Sequence, residues 1–569
     1  MAVMGIDFGT TNSVAAVFSG ADVEVLELDT PPDAWAPYGF GRVIPSVFAA
    51  DQHGRIAFGW EAKAATDMTG DRFDAIKRLF ASQEDAAFGD GGTSIAVEEA
   101  ATLLFAEIQR RAQTQAAIEA RQAVITVPAN SKGRARHRTK ICAGMGGFEV
   151  LSLINEPTAA AMAYARSHPD ARRYLVFDWG GGTLDVTVLE AVEGVFIEQA
   201  SSGIARSGGL DFDARLSKYL LESAPSPDKW STADKRQFRL EVELAKIRLS
   251  TQETASVILP GGSATQITRR RFEEIVDPLI QESAAPIERC LRELNIGRGS
   301  IDALILVGGT SNIPAVRRFV QDLVGTDADP DVDPMTAIGE GAAIAASIMA
   351  GENTNHDFYV STEHALGTFV LDAQTVQQAF STIIPKSHKL PARATQTYFP
   401  VTEEQRQVNV DVVEGDPETG DFVVLKEWLV SLPDAGSDQG VELTFDYDVS
   451  GILNVRAVDH ASGQTLLDDD VAYGVAEDKM GMVRMAQRAR DSVSSGTMTA
   501  GPTPVASALS EESTRLIQAA TQKVIPYLDG DAAAQVQALV DALQTANPTE
   551  EDSHQEALRQ ALQPYSFLM

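Results

Sequence analysis

The stretch Phe177-Asp178-Trp179-Gly180-Gly181-Gly182-Thr183-Leu184-Asp185 has a shorter counterpart near the start of the chain, Ile6-Asp7-Phe8-Gly9-Thr10-Thr11-Asn12. Each reads as a strand end, an Asp, an apolar residue, a Gly-containing turn with Thr, and then a further apolar strand. Glycine lets backbone N–H groups approach phosphate oxygens with no Cβ in the way, and Thr adds a hydroxyl donor. The Asp at each strand end suits a hydrated Mg²⁺, which keeps several waters and takes few protein ligands. A single Gly-Gly-Gly-Thr turn is usually only a hairpin. Two of them on two half-domains predict a nucleotide clamped between lobes. A third Gly pair, in Leu306-Val307-Gly308-Gly309-Thr310, suits close approach of a base or ribose.

Outward from these turns, the chain to about residue 350 alternates short apolar runs with amphipathic helical stretches. The runs are Val3–Ile6, Ala123–Val127, Tyr174–Phe177 and Ala303–Val307, and the helical stretches include Val97–Arg111 and Phe272–Leu294. This is an α/β pattern with buried strands. From about 361 to 475 the period becomes two: Val408/Val410/Val412, Leu443/Phe445/Tyr447 and Leu453/Val455/Ala457 alternate with polar residues. The turn Asp448-Val449-Ser450-Gly451 joins the last two runs, so an antiparallel sandwich is expected. After Ala476 the helical period returns over Glu477–Asp491. The Ser/Gly/Thr/Pro-rich stretch Ser492–Ser507 reads as a flexible joint, and further amphipathic helices follow. The expected domains are 1–355 for nucleotide, 356–361 as linker, 362–476 as sandwich and 477–569 as a helical lid.

Composition narrows the function. Hydrophobic residues make up 44% of the 569 and charged residues 22%, which is ordinary for a folded chain. A net charge of −33 repels phosphate backbones and anionic lipid, so neither nucleic acid nor a membrane is expected as partner. The two cysteines, Cys142 and Cys290, cannot build a disulfide framework or a Cys-based zinc site, and both read as inert thiols. The apolar stretch Gly341–Gly351 is too short for a span of ~20 residues. With no basic leader before Arg42, a cytoplasmic location is expected.

Further motifs stand in a fixed order: Ala75-Ile76-Lys77-Arg78-Leu79, Val124-Ile125-Thr126-Val127-Pro128-Ala129, Ile154-Asn155-Glu156-Pro157-Thr158-Ala159-Ala160-Ala161, Gly208-Gly209, Asp211-Phe212-Asp213, Ala245-Lys246 and Gly308-Gly309. With Gly5–Ser13 and the Asp446–Val455 segment, they resemble the seventy-kilodalton heat-shock, DnaK-type chaperone family over about 475 residues. Actin and sugar kinases share the phosphate turns but lack the Asn-Glu-Pro-Thr run and the sandwich.

The resemblance implies an actin-like two-lobed ATPase domain, a β-sandwich that binds peptide and a helical lid, with ATP and Mg²⁺ as cofactors. It implies that Asp7 and Asp178 hold the metal's water shell. Gly9, Thr10, Thr11, Asn12 and Gly180–Gly182 would cradle phosphate, with Gly208, Gly209, Gly308, Gly309 and Asn312 around the nucleoside. Lys77 would be the catalytic lysine, Glu156 would position the attacking water with Asp178, and Thr183 would lie by the γ-phosphate. Taken alone, Lys77 reads as a solvated helix lysine, and Glu156-Pro157 as a helix start. Glu243, Lys246 and Ser250 would contact adenosine, although their i, i+3, i+7 spacing also describes an ordinary salt-bridged face.

In the sandwich the resemblance puts Leu371, Tyr398, Val401 and Val408 in a peptide pocket; alternating apolar residues there are also what a core requires. Four departures stand out. Asn312 replaces an adenine-stacking arginine, Ser152 an arginine used by J-domain cochaperones, Val360 a linker aspartate and Trp179 a smaller residue. The run Lys132–Lys140, carrying Lys132, Arg134, Arg136, Arg138 and Lys140, reads either as a solvated helix start or as a basic surface that repels basic J-domains. The expected activity is ATP-driven binding of unfolded client polypeptides. A nucleotide-exchange factor and a dedicated J-domain protein are candidate partners. The alternatives are an ATPase switch for one dedicated protein and a small-molecule kinase.

Overall fold

The computed structural model describes most of residues 2–498, without 66–71, 81–86, 89–94, 223–228, 353–356, 359–361, 372–376, 401–404, 434–439, 449–452, 472–478 and a few single positions or pairs. Beyond 498 it describes 513, 516–517, 520, 536–540, 542–543 and 551–562. The chain divides into two compact units, 1–498 and 499–569.

The first unit contains two sheets built alike. In one, Val3–Phe8 runs antiparallel to Asn12–Ser19 and parallel to Gln122–Val127, with Glu149–Asn155 and Asp22–Val25 outside them. In the other, Arg173–Trp179 runs antiparallel to Leu184–Val192 and parallel to Ala303–Val307. Val195–Ile204 follows, with Asp357–Phe358 at the edge. The echo between the two Gly/Thr turns is thus an echo of topology: each turn joins the first two strands of its sheet.

Each sheet has its own core on its outer face. Phe8, Phe48 and Phe105 fill one, and Phe177, Trp179 and Phe212 the other. A third core lies between the sheets, where the Ala-rich helices Glu156–Ala165 and Ala337–Met349 pack against Val124, Ile154, Val176 and Ile305. Small side chains let these helices approach closely. The stretch read as too short for a membrane is the end of the second helix, and among the described residues no helix is long and apolar enough to cross one.

Two four-stranded antiparallel sheets follow. One has the order Gln378–Ile384, Ala365–Leu371, Gln407–Asp416, Asp421–Ser431; the other is Ala392–Tyr398, Val441–Tyr447, Leu453–Asp459, Thr465–Asp470. Leu443, Phe445, Tyr447, Leu453, Val455 and Ala457 all point into the shared core, as period two demands.

The helix after the sandwich departs from expectation. It covers Lys479–Ser495, so the first residues of the expected joint are helical. Met485 and Ala489 are buried in the same core as Phe8 and Phe105, and Arg488 reaches Glu99 of the Val97–Gln115 helix at 3.1 Å. Backbone bonds then tie Met498 N to Gly54 O at 2.6 Å and Ile56 N to Gly496 O at 3.2 Å. This helix packs on the first lobe. In the second unit, Leu516, Ala520, Val536, Val540, Leu543, Leu558 and Leu562 form a small core on the expected apolar faces.

Candidate active site

The two Gly/Thr turns meet face to face. A Cβ on Gly181 would lie 2.3 Å from Thr11 Cγ2, and one on Gly182 would lie 2.8 Å from Thr10 Cγ2, so only glycine permits the approach. The Gly208–Gly209 segment is laced to the same turn: Gly209 N donates to Gly180 O and Leu210 N to Gly181 O, both at 3.0 Å. Thr310 Oγ1 donates to Gly180 O at 2.9 Å. Gly308 adopts φ +79°, and a Cβ there would strike the Trp179 backbone at 2.5 Å. The third Gly pair therefore belongs to the same constellation.

Below the turns sit the charged residues. Asp7 ends the first strand of one sheet and Asp178 lies at the matching place in the other, directly across from Asp185. Lys77 Nζ pairs with Glu156 Oε1, and both side chains are about nine-tenths buried, so Lys77 is not a solvated helix lysine. Burial raises the Asp7 carboxyl to about 6, helped by Glu156 and opposed by Lys77 and by the 2.7 Å bond from Thr126 Oγ1. Burial also drives Asp178 well above the carboxylate range, with Glu156, Asp185 and Asp7 adding repulsion. Burial opposes the Lys77 charge, yet Glu156 and Asp7 outweigh it and hold its pKa above the ordinary lysine value.

Four carboxylates around one lysine leave negative charge that a cation would balance. Among the described residues no three His, Cys, Asp or Glu side chains converge as direct metal ligands. A cation here would keep its waters, which fits Mg²⁺ and a donor set of isolated aspartates.

Glu243 and Lys246 share a helix face but pair with other residues. Lys63 Nζ reaches Glu243 Oε1 at 2.7 Å, and Lys246 Nζ reaches Asp213 Oδ2 at 2.7 Å and Gly209 O at 3.1 Å. Burial alone would raise the Glu243 pKa, but Lys63 and Lys246 hold it low; Asp213 is raised to about 6, chiefly by burial. Ser250 is half-buried further along the helix, and Asn312 is half-buried beyond Gly309. Thr183 closes the second turn, its carbonyl accepting from Gly180 N at 3.2 Å.

A model of the Hsp70 protein family matches residues 3–567. The chain belongs to the Hsp70 family. A Chaperone protein DnaK of Methanothermobacter thermautotrophicus is 34% identical over 481 residues, covering 81% of this chain and 78% of the relative. One of Cyanidioschyzon merolae is 33% identical over 502 residues, covering 81% and 80%. One of Thermoplasma acidophilum is 32% identical over 481 residues, covering 81% and 76%.

Several neighbours in this Hsp70 chain escaped the sequence reading. Arg78 donates to the Gly182 carbonyl and to Asp211 Oδ2 at 3.1 Å, so it bridges the lobes. Lys63 lies 4.9 Å from the Trp35 ring and 5.2 Å from the Trp60 ring, and both rings pack with Phe40 and Leu244 across the same cleft. The Lys77-Arg78 dipeptide was visible; the aromatic cage carries no local signal.

One expectation needs correction. The basic run is not a solvated start: Arg136, His137 and Arg138 are buried, Arg136 Nη1 bonds Asn155 Oδ1 at 2.8 Å and Arg138 Nε reaches Glu98 Oε1 at 2.9 Å. Two of its five charges, those of Arg136 and Arg138, thus act inside the molecule. Ser152 is also buried, donating to the Leu153 carbonyl. In the sandwich, Tyr398 and Val408 sit at the margin of one core while Leu371 lies outside it, 45% exposed. Val401 and Val360 lie outside the described residues. Trp179 is fully buried, its Nε1 donating to Ser207 O at 3.1 Å. Both cysteines are buried; burial pushes Cys142 far up and Cys290 to about 12, which keeps them protonated thiols.

Proposed function

We propose that this chain is an ATP-dependent chaperone whose actin-like two-lobed domain hydrolyses ATP and thereby switches the affinity of its sandwich for extended polypeptide. The observation that carries the reading is the buried Lys77–Glu156 pair between Asp7 and Asp178, beneath two facing Gly/Thr turns.

The turns at Gly9–Asn12 and Gly180–Thr183 offer N–H and hydroxyl donors to the phosphates from opposite sides. Asp7 and Asp178 would hold the water shell of Mg²⁺, which supplies charge neutralisation on the β- and γ-oxygens when bound. Lys77 brings a fixed positive charge toward the γ-phosphoryl group, in a site that excludes most water. Glu156, held by that lysine, orients the attacking water and Thr183 lies by the γ-phosphate. Glu243, Lys246, Ser250, Gly308, Gly309 and Asn312 surround the nucleoside. Leu371, Tyr398, Val401 and Val408 border the peptide site of the sandwich.

Partners are unfolded client segments, an exchange factor and a J-domain protein, and the protein acts in the cytoplasm. Peptide-stimulated ATP turnover tests the reading: extended apolar peptides should raise steady-state hydrolysis saturably. Turnover that no peptide stimulates would assign the chain to a switch for one dedicated protein. Phosphorylation of small acceptors would assign it to a kinase.

A further inference from the structure

Thr30–Arg42 belongs to none of the motifs that carry the resemblance, yet it adjoins several residues read as facing the nucleoside. It leaves the first lobe after Leu26 and Leu28, which are buried in that lobe's core. Asp29 fixes its start: Oδ1 pairs with Arg111 Nη1 at 2.7 Å, and Oδ2 accepts from Trp60 N at 2.8 Å. Pro31, Pro32 and Pro37 lock three φ angles, and short 3₁₀ turns at Ala36–Tyr38 and Phe40–Arg42 flank Gly39, at φ +83°. Trp35 N donates to Pro32 O at 2.8 Å and Tyr38 N to Trp35 O at 3.0 Å, so the segment has a set shape of its own.

Much of this segment is exposed, but Trp35 and Phe40 turn inward and are buried. Their rings lie 4.9 and 5.7 Å from that of Trp60 in the first lobe. The same cluster takes in Leu244, with Leu240 and Ile247 at its margin, from the Thr232–Thr251 helix of the second lobe. Large rings supply apolar contact across the cleft with few rotatable bonds to order.

At three places the segment adjoins the nucleoside residues. Beside Leu244, Lys63 Nζ lies 4.9 Å from the Trp35 ring and bonds Glu243 Oε1 at 2.7 Å. Tyr38 Oη accepts from Gln252 Nε2 at 3.0 Å, two residues past Ser250. Arg42 Nη2 donates to Asp333 Oδ2, and Asp333 Oδ1 accepts from Met335 N at 2.9 Å. Met335 belongs to the margin of the aromatic cluster, and its Sδ would lie 3.5 Å from a Cβ on Gly309. Pro334 O accepts from Gly308 N at 2.8 Å. The polar links to Gln252 and Asp333 are partly exposed, of the kind that breaks without unfolding either lobe.

We propose that Thr30–Arg42 is a strap that closes the nucleoside end of the cleft, so that nucleotide enters and leaves when the strap lifts from the second lobe. The proposal rests on the reading of Glu243, Lys246, Gly308 and Gly309 as the nucleoside site. Trp35 and Phe40 are the strap's plug, Tyr38 and Arg42 its fastenings, and Asp29 its anchor on the first lobe. The fastenings bind protein groups, so loosening them changes how often the cleft opens, in both directions of passage.

The test uses the full chain with Arg42→Ala, Tyr38→Phe, Trp35→Ala and Asp333→Asn. Melting temperature is measured beside the entry of radiolabelled ADP and its exit into excess unlabelled ADP, both with Mg²⁺. Arg42→Ala should speed exit about three- to fivefold, the range of a partly exposed ion pair, and Tyr38→Phe about twofold. Entry should accelerate by a similar factor, leaving Kd within about threefold of the parent. Trp35→Ala should speed exit about tenfold or more. Asp333→Asn keeps the oxygen bonded by Met335 N but loses the charge, so Arg42→Ala should add little in that background. Parental exit rates in Arg42→Ala and Tyr38→Phe would overturn the proposal, and these two partly exposed positions decide it even if Trp35→Ala melts early. Faster exit with unchanged entry and a proportionally weaker Kd would also overturn it, because that pattern belongs to a surface that holds the nucleotide itself. A failure of the underlying reading looks different: Lys246→Ala would then bind ADP as tightly as the parent.

Discussion

At Lys77 the local pattern and the tertiary structure pull in different directions. A lysine in a five-residue helix would ordinarily reach water, yet this one is enclosed with Glu156 and held charged against burial. Lys77→Ala should leave nucleotide binding within a few fold and slow single-turnover hydrolysis by about 10²–10³, the usual cost of one preorganised charge. Unchanged single-turnover rates would remove Lys77 from the hydrolytic set. A second expectation follows from Asp7, raised to about 6 by burial, and Asp178, also raised by burial. A cation near them favours the ionised form, so Mg²⁺–nucleotide binding at pH 6 should release protons, and affinity should rise as pH passes upward through about 6. Calorimetry in buffers of different ionisation enthalpy reads this directly; heats independent of buffer would contradict it. The glycines, threonines and aspartates of the site were legible because each turn lies within a few residues of sequence. Arg78 on Asp211, Thr126 on Asp7 and Glu198 on Thr158 were not, because those pairs are 133, 119 and 40 residues apart and chain spacing says nothing of them.

Among the elements, the Lys479–Ser495 helix shows what periodicity conveys and what it leaves open. The 3.6 period was plain and so was the presence of an apolar face. Its partner was not, since an apolar stripe fits any complementary surface. The structure seats Met485 and Ala489 in the first lobe's core beside the Val97–Gln115 helix, with Arg488 on the buried Glu99. Such docking leaves Ala489 1% exposed, which makes it the sensitive point. Ala489→Asp puts a charge into that core at a cost of several kcal/mol, on the order of the penalty for an unpaired buried ion after relaxation. Amide exchange over residues 482–495 should then lose its protection while the sandwich strands keep theirs. Protection at the parental level would mean that packing at Ala489 does not hold the helix. The sandwich itself was read well, since two-residue alternation fixes both the face and the partner sheet.

On the scale of the whole first unit, charged contacts join the sandwich to the two-lobed part. Lys140 Nζ lies 3.6 Å from Asp448 Oδ2 and Lys386 Nζ lies 3.8 Å from Glu293 Oε1, exposed pairs of the kind worth about 1 kcal/mol or less. His137 is the more telling group. It stands on the Gly133–Met145 helix, only 7% exposed, with Lys140 on its own helix and Asp448 and Asp470 facing it from the sandwich. Burial lowers its pKa to about 4 and Lys140 adds to the effect, while Asp470 and Asp448 pull the other way. A histidine freed from this contact would titrate near ~6.5, so between the two values the separated state binds the proton more strongly. The sign follows: contact is fully favoured above ~6.5 and weakens as pH falls toward about 4. From pH 7.5 to pH 5 the loss amounts to about 2 kcal/mol at ~1.4 kcal/mol per pH unit below 6.5. Fluorophores placed on the ATPase part and on the sandwich should report separation across that range in the parent chain. His137→Gln keeps a polar side chain of similar reach but cannot take the proton, so its docking should be nearly flat from pH 7.5 to 5. An equal pH response in parent and variant would show that the acid-sensitive group is another residue.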